Sequence, residues 1–506
     1  MESRPLPPPS NVNEHVSRFD PRAAAQEFEH DLSPGMRDEP LPGGENVKRI
    51  IGLVAGPLLA VALFLLMPGD LGVWPRLVAA TAVLMAVWWM TEALPIPATA
   101  LLPLVVFPLG VPAEESDGGI TFDAVGASYG NNIIFLFMGG FMLALAMQRW
   151  NLHRRIALGV LKFMGARTVN LVLGFMIATG FISMWVSNTA TAVVMLPIGT
   201  SVLMLTADTV GGMKNQKKFA TALMLAIAYA ASIGSLGTLI GTPPNALLKG
   251  YMEEAHGIVI GFGQWMLVGL PVAVVFTFIA WWLLITVFKP EVDTIPGGKE
   301  LIDDEIKKLG AWTFPQVAVG VIFLVAALAW IFIPLGRNHF GWDFPYDDAI
   351  VGIIAGLLMF IVPAKKDGTR ILDWKTANEL PWDVLLLFGG GLSLSSMFTK
   401  TGLSLWIGEA AKGLAVLPTF LLILAVAALV LGLTELTSNT ATAATFLPIM
   451  GGVAVGIGLT EATEMNVLLL AIPVALSATC AFMLPVGTPP NAIVFGTGAV
   501  KIQEMA

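Results

Sequence analysis

A single cysteine in 506 residues, Cys480 within an apolar run, excludes a disulfide framework and any cluster of thiolate metal ligands. Five histidines without ligand spacing exclude most zinc chemistry. Charge is also scarce. Only 13% of residues are charged against 56% hydrophobic, far from the usage of soluble domains and suited to a chain that lives in a bilayer. The formal net charge is −8 and no long basic stripe occurs, so no nucleic-acid partner is expected. No Walker motif occurs, which removes that route to ATP-driven work.

Residues 1–46 hold Pro5, Pro7, Pro8 and Pro9 among mixed charges with no sustained apolar face, the composition of a disordered arm. The first long apolar run begins near Ile50, too deep for a signal peptide. A spanning helix needs about 20 apolar residues. Apolar segments fall near 50–67, 76–91, 94–111, 131–149, 168–207, 219–248, 264–288, 313–334, 348–363, 382–399, 413–460 and 466–500. The fold class is therefore an all-α polytopic membrane protein.

Several segments are abnormal. Residues 168–207 carry no charge, yet the middle reads Ser187-Asn188-Thr189-Ala190-Thr191, and the second arm is short for a full span. A re-entrant hairpin fits better than two crossings, because irregular backbone at that depth needs shelter by protein or a watery cavity. Charge supports this. Lys48 and Arg49; Arg149, Arg154, Arg155, Lys162 and Arg167; Lys214, Lys217 and Lys218; and Lys307, Lys308, Lys365, Lys366, Arg370 and Lys375 share one side only if the segment returns by its own face. The acidic loop Glu114, Glu115, Asp117 and Asp123 falls on the other. Basic loops mark the cytoplasm, so the N-terminus is cytoplasmic.

The chain also repeats itself at an offset of 251 residues. Phe137, Gly139, Gly140 and Leu152 match Phe388, Gly390, Gly391 and Leu403, and Ser187-Asn188-Thr189-Ala190-Thr191-Ala192 recurs unaltered from Ser438 to Ala443. After a five-residue slip, Gly241-Thr242-Pro243-Pro244-Asn245-Ala246 recurs from Gly487 to Ala492. On the proposed spans the first hairpin opens from the cytoplasm and the second from outside. Such inverted repeats with interrupted helices in matching places are the plan of secondary transporters, and the interruptions mark the binding site. The copies are unequal at the end: Pro243 is followed by a full helix at 264–288, whereas only residues 489–506 follow Thr488. The final helix has no counterpart in the second copy: either the chain is truncated, with about 20 to 30 further apolar residues expected, or the protein dispenses with one helix.

Ser and Asn are strong N-caps, so Ser187-Asn188 can end one arm and begin the next. The N–H groups at the new helix start suit an anion, while the carbonyls that end the previous arm, with the oxygens of Ser183 and Asn188, suit a small hard cation. Pro243-Pro244 removes N–H donors and forces a break at Gly241-Thr242, with the second half-helix starting near Asn245. Two copies give four half-helix starts without a basic residue. A lone Ser-Asn-Thr is ordinarily packing or an interhelical hydrogen bond, and a lone Pro-Pro a kink; duplication in inverted halves favours the functional reading. Glu435, the only charge between Gly413 and Thr460, pairs with apolar Met184 in the repeat and reads as a supporting residue. Glu92, in the turn Thr91-Glu92-Ala93-Leu94-Pro95, is placed at the interface.

These motifs, with Thr434-Glu435-Leu436-Thr437 and Trp89-Met90-Thr91-Glu92-Ala93-Leu94-Pro95, resemble the divalent anion:sodium symporters, carriers of C4 dicarboxylates and in some members citrate or sulfate. The resemblance covers about residues 47–506. It implies a homodimer in the bacterial inner membrane, with a scaffold and a mobile transport domain that works as an elevator. Carried over residue by residue, sodium site 1 is Ser183, Ser187, Asn188 and Gly241, and sodium site 2 is Thr434, Thr437, Asn439 and Gly487. Substrate carboxylates meet Asn188, Thr189, Asn439 and Thr440, with Thr242 and Pro489 nearby. The implied division is scaffold helices in 47–111, a first repeat in 112–290 (hairpin 168–207, broken helix 219–262, helix 264–288), a cytoplasmic linker at 291–312, and a second repeat in 313–506 (hairpin 413–460, broken helix 466–500).

The leading reading is a sodium-coupled symporter of succinate, malate or fumarate, since two similar polar tips suit a symmetrical dianion. A sodium-independent dicarboxylate exchanger, or a sulfate or citrate carrier, is the alternative within transport. An anion channel would need a continuous polar pore. An enzyme would need a nucleophile with a base or a metal cluster, and no His, Asp or Cys sits beside either tip in the sequence, so neither catalysis nor an organic cofactor is expected.

Overall fold

A hydrocarbon core about 30 Å thick admits only backbone that satisfies its own hydrogen bonds, hence helices here. In the computed structural model the described residues are 43–110, 120–341, 346–459 and 467–506. Most of the expected arm, and Glu114, Glu115 and Asp117, lie outside them. Eight helices among the described residues are long and apolar enough to span a membrane. The longer helices are α1 (Gly43–Leu66), α2 (Val73–Thr91), α3 (Leu102–Gly110), α4 (Asn132–Arg149), α5 (Leu152–Met164), α6 (Thr168–Ser183), α7 (Asn188–Val210), α8 (Lys217–Ser235), α9 (Pro243–His256), α10 (Phe262–Val287), α11 (Gly298–Lys308), α12 (Phe314–Phe340), α13 (Asp348–Ile361), α14 (Trp382–Lys400), α15 (Leu403–Ala411), α16 (Thr419–Thr434), α17 (Asn439–Gly456), α18 (Leu468–Thr479) and α19 (Pro489–Phe495). Helix α1 takes in residues 43–46, which composition assigns to the arm.

Both abnormal segments are hairpins. The first arms, α6 and α16, have 16 residues each, about 24 Å long and too short to cross. The second arm of the first hairpin is longer than its sequence suggests, at 23 residues with Pro197 inside. Its return is set by packing instead. Thr168 N at the start of α6 donates to Asp293 O at 3.1 Å, and Leu205 near the end of α7 lies against Gly297, so both ends meet the same connecting segment. In the second hairpin the end of α17 lies against α15, which leads into α16; Gly408 and Gly456 appose backbone to backbone there.

The two hairpins point opposite ways. Helices α9 and α17 leave the centre together, with Tyr251 packed on Gly451. They run toward the end where Asn132 begins α4, because Asn132 Nδ2 donates to Glu253 Oε1 at 3.3 Å. The base of the first hairpin lies at the other end, beside α5 and α11, where Lys162 meets Asp303 at 2.8 Å. One hydrophobic core surrounds the first hairpin with α5 and α8 and reaches Val494, Val500 and Met505; a second joins α2, α4, α13 and α14 to the second hairpin.

Candidate functional site

The repeated hexapeptides build the hairpin tips by capping. Ser187 has extended backbone (φ −55°, ψ 143°), and its hydroxyl accepts from Ala190 N at 3.3 Å to start α7. Ser438 has the same shape (φ −64°, ψ 129°) with no side-chain cap bond. There Thr437 Oγ1 meets Thr442 Oγ1 at 2.6 Å, and Thr442 Oγ1 donates to Ser438 O at 3.0 Å. The hexapeptides are identical, but Thr437 stands before the second where Val186 stands before the first, and the two turns close with different bonds.

Behind each tip lies an oxygen cluster of matching shape. Ser183, fully buried, has its hydroxyl 2.8 Å from Asn188 Oδ1 and 2.6 Å from Ala231 O. Thr434, equally buried, sits 2.8 Å from Asn439 Oδ1 and 2.6 Å from Ala478 O. One hydroxyl hydrogen cannot serve two acceptors. Each cluster thus holds surplus lone pairs on three neutral oxygens, the donor set that suits a hard monovalent cation. The position equivalent to Ser183 is Thr434, so hydroxyl chemistry is kept while the side chain differs.

The broken helices close the back of each cluster. Asn245 Nδ2 donates to Thr238 O at 2.8 Å and Ser235 O at 3.4 Å; Asn491 Nδ2 donates to the corresponding Leu484 O at 3.0 Å and Ala481 O at 3.1 Å. The Thr-Pro-Pro-Asn asparagines thus pin carbonyls of the interrupted segment that precedes each Pro-Pro. Thr242 Oγ1 lies 3.4 Å from Thr479 Oγ1, joining the two breaks.

All the expected substrate residues, Asn188, Thr189, Thr242, Asn439, Thr440 and Pro489, line one cavity of about 750 Å³, together with Ser187, Gly241, Thr437 and Gly487 of the expected cation sets. Helices α7, α9, α17 and α19 all begin at its wall, so four positive dipole ends converge there. The tips are not equivalent: Thr189 is exposed to the cavity and Thr440 is buried. Lys48, Arg49, Glu92 and Asp383 also line the cavity. Sequence reading singled out Glu92 and the basic pair before the first span but did not bring them together with Asp383, since they come from α1, the turn after α2 and the start of α14. Among the described residues no group of three His, Cys, Asp or Glu side chains is placed to hold a metal ion.

A chain of inverted hairpins and broken helices, whose interruptions meet at one polar cavity inside an apolar helical body, is a secondary transporter of the membrane. It belongs to the sodium:sulfate symporter family, whose transmembrane-region model matches residues 46–506. The sodium-dependent dicarboxylate transporter SdcS of Staphylococcus saprophyticus is 44% identical over 468 residues, covering 91% of this chain and 88% of the relative. That of Staphylococcus aureus is 43% identical over 482 residues, covering 94% and 89%. Among solved structures, Neisseria gonorrhoeae MtrF, described as illuminating a class of antimetabolite efflux pumps, aligns with TM-score 0.51 at 10% identity, covering 82% of this chain and 90% of that one. At that identity the likeness concerns the fold alone.

Proposed function

We propose that the protein is a sodium-coupled symporter of C4 dicarboxylates, with succinate, malate and fumarate as substrates. The observation that carries this reading is the pair of neutral oxygen clusters, Ser183 with Asn188 and Thr434 with Asn439, each directly behind a tip whose asparagine lines the cavity. A dianion at tips without basic side chains needs compensating charge, and cations seated behind both tips supply it. Asn188 and Asn439 each face both cargoes, which couples their binding. The printed names of the SdcS relatives support dicarboxylate as the anion.

The cavity wall includes Lys48 and Arg49, a basic pair that the charge distribution assigns to the cytoplasm, so this arrangement is open to the cytoplasm. The hairpins and broken helices form the moving body of an elevator, carried past α1 to α4 and α12 to α14 by the amphipathic arms α5 and α15. The homodimer implied by the family resemblance belongs to this reading, and the mass of the detergent-purified protein tests it. Purified protein in liposomes with labelled succinate tests the transport reading: an inward sodium gradient should drive accumulation. Equal uptake in potassium overturns sodium coupling, and competition by sulfate but not by malate or fumarate reassigns the anion to sulfate, the anion in the family's description.

A further inference from the structure

The second cation cluster differs from the first by one buried charge. Glu435 is 3% exposed and is absent from the cavity wall. Its carboxylate accepts three backbone N–H groups of one turn: Phe482 at 2.7 Å and Met483 at 2.9 Å on Oε1, and Leu484 at 2.9 Å on Oε2. Asn491 grips the same turn by its carbonyls, at Ala481 and Leu484. A Cβ added to Gly487 would lie 3.0 Å from Glu435 Oε2. The charge is therefore bracketed by two members of the second cation set, Thr434 beside it in sequence and Gly487 beside it in space.

The first repeat manages its break without such a group. At the equivalent turn, Leu236 N donates to Ile233 O at 3.2 Å and Gly237 N to Gly234 O at 2.9 Å. Thr238 Oγ1 donates to the carbonyl of Met184, the counterpart of Glu435. Those amides serve their own turn, whereas the amides of 482–484, in the broken helix, turn to a side chain from the preceding hairpin. A carboxylate inside the membrane is costly unless bonded and used, and three N–H donors satisfy it as an anion.

We propose that Glu435 is the positioning residue of the second cation site: it holds the 482–484 turn in register with Gly487, and its fixed negative charge makes this site bind sodium more tightly than the site around Ser183. This rests on the sodium-coupled reading above. A unit charge a few ångströms from a cation in a partly desolvated site outweighs one neutral ligand, so the site around Thr434 fills first.

The test compares full-length wild type, Glu435→Gln and Glu435→Asp by two measurements. In proteoliposomes, Glu435→Gln should raise the half-saturating sodium concentration for succinate uptake at least about tenfold, while Glu435→Asp, which keeps the charge, should shift it far less. A purely structural role would lower the maximal rate with sodium dependence unchanged. In sodium-free detergent solution, hydrogen exchange at the amides of 482–484 should quicken in Glu435→Gln, with those of 236 and 237 as internal reference. Unchanged sodium half-saturation in Glu435→Gln, or equal shifts in both variants, overturns the electrostatic role. Unchanged exchange at 482–484 overturns the positioning role. If the wild type itself shows no sodium dependence, the coupling reading fails and the electrostatic role with it; the exchange data then decide the positioning role alone.

Discussion

The two repeats share their motifs residue for residue, yet beside the broken helices each keeps a buried charge where the other has an apolar side chain. The second has Glu435 where the first has Met184; the first has Lys249 where the second has Phe495. Glu435 turns inward to its own break. Lys249 reaches outward: Nζ donates to Ile260 O at 2.9 Å and pairs with Asp348 at 3.4 Å, the two side chains 4% and 3% exposed. Asp348 also accepts from Phe262 N at 3.0 Å and Tyr346 Oη at 2.7 Å. Identical segments set in opposite orientations meet different neighbours. The tip and break hexapeptides stay the same, while residues around them, Ser183 against Thr434 and Met184 against Glu435 among them, diverge.

The strongest way to break this comparison is through its identical members. Asn188→Ala and Asn439→Ala each remove an oxygen proposed to serve both cargoes, and a hydrogen bond or ligand contact to a charged group is worth about 1.5–3 kcal/mol. Each variant should therefore lose ten- to about hundredfold in apparent succinate affinity and weaken sodium dependence as well, read in proteoliposomes. Similar losses at the two positions support equal roles. A full loss at one with wild-type transport at the other removes the spared asparagine from the site.

A second expected effect separates the copies. Lys249→Met leaves Asp348 buried with its cationic partner gone, and breaking a buried pair costs about 3–5 kcal/mol. The double variant Lys249→Met with Asp348→Asn removes both charges and should recover most of that loss in thermal unfolding. Phe495→Leu, at the equivalent position of the second repeat, should cost less than about 1.5 kcal/mol. A double variant less stable than Lys249→Met alone would show that the pair is not the unit that stabilises this end.

The hairpins and breaks were legible because their signals are local: a hexapeptide that caps a helix and a Pro-Pro that removes donors act on their immediate neighbours, and each occurs twice. The length of α7 was misjudged, since apolar composition beyond Ala207 fades while the helix continues through Asp208 to Val210. Glu435 was legible as a lone intramembrane charge, and it lies off the cavity wall. Its partners were not legible, because they lie 47 to 49 residues away and are backbone amides, which carry no sequence mark. The same holds for Lys249 and Asp348, 99 residues apart, and for the four charges at the cavity. Pairings of that kind arise only when distant helices pack.

The smallest effects concern the arms, which begin at the matching residues Leu152 and Leu403. Helix α5 is tied to α11 by Arg154 with Glu305 at 2.7 Å and Lys162 with Asp303 at 2.8 Å. Helix α15 is instead held by close backbone approach: a Cβ on Gly408 would come within 2.9 Å of Gly452 O and Gly456 Cα. Gly408→Ala must push these backbones apart, so it should cost about 1–3 kcal/mol, independent of pH and salt. Glu305→Gln should cost about 0–1 kcal/mol and change the pH response. The Glu305 carboxyl is held below the usual carboxylate range, first by the hydrogen bond from Lys308, with Arg154 adding to it. A depressed folded value means that this stability is fully present above the unfolded value of about 4.3 and disappears as pH falls through the folded one. Wild type should therefore lose a small increment of melting temperature over that acid window, and Glu305→Gln should lose less. Equal acid slopes in the two proteins would show that the ion pair does not hold α5, leaving apolar packing to do for the first arm what Gly408 does for the second.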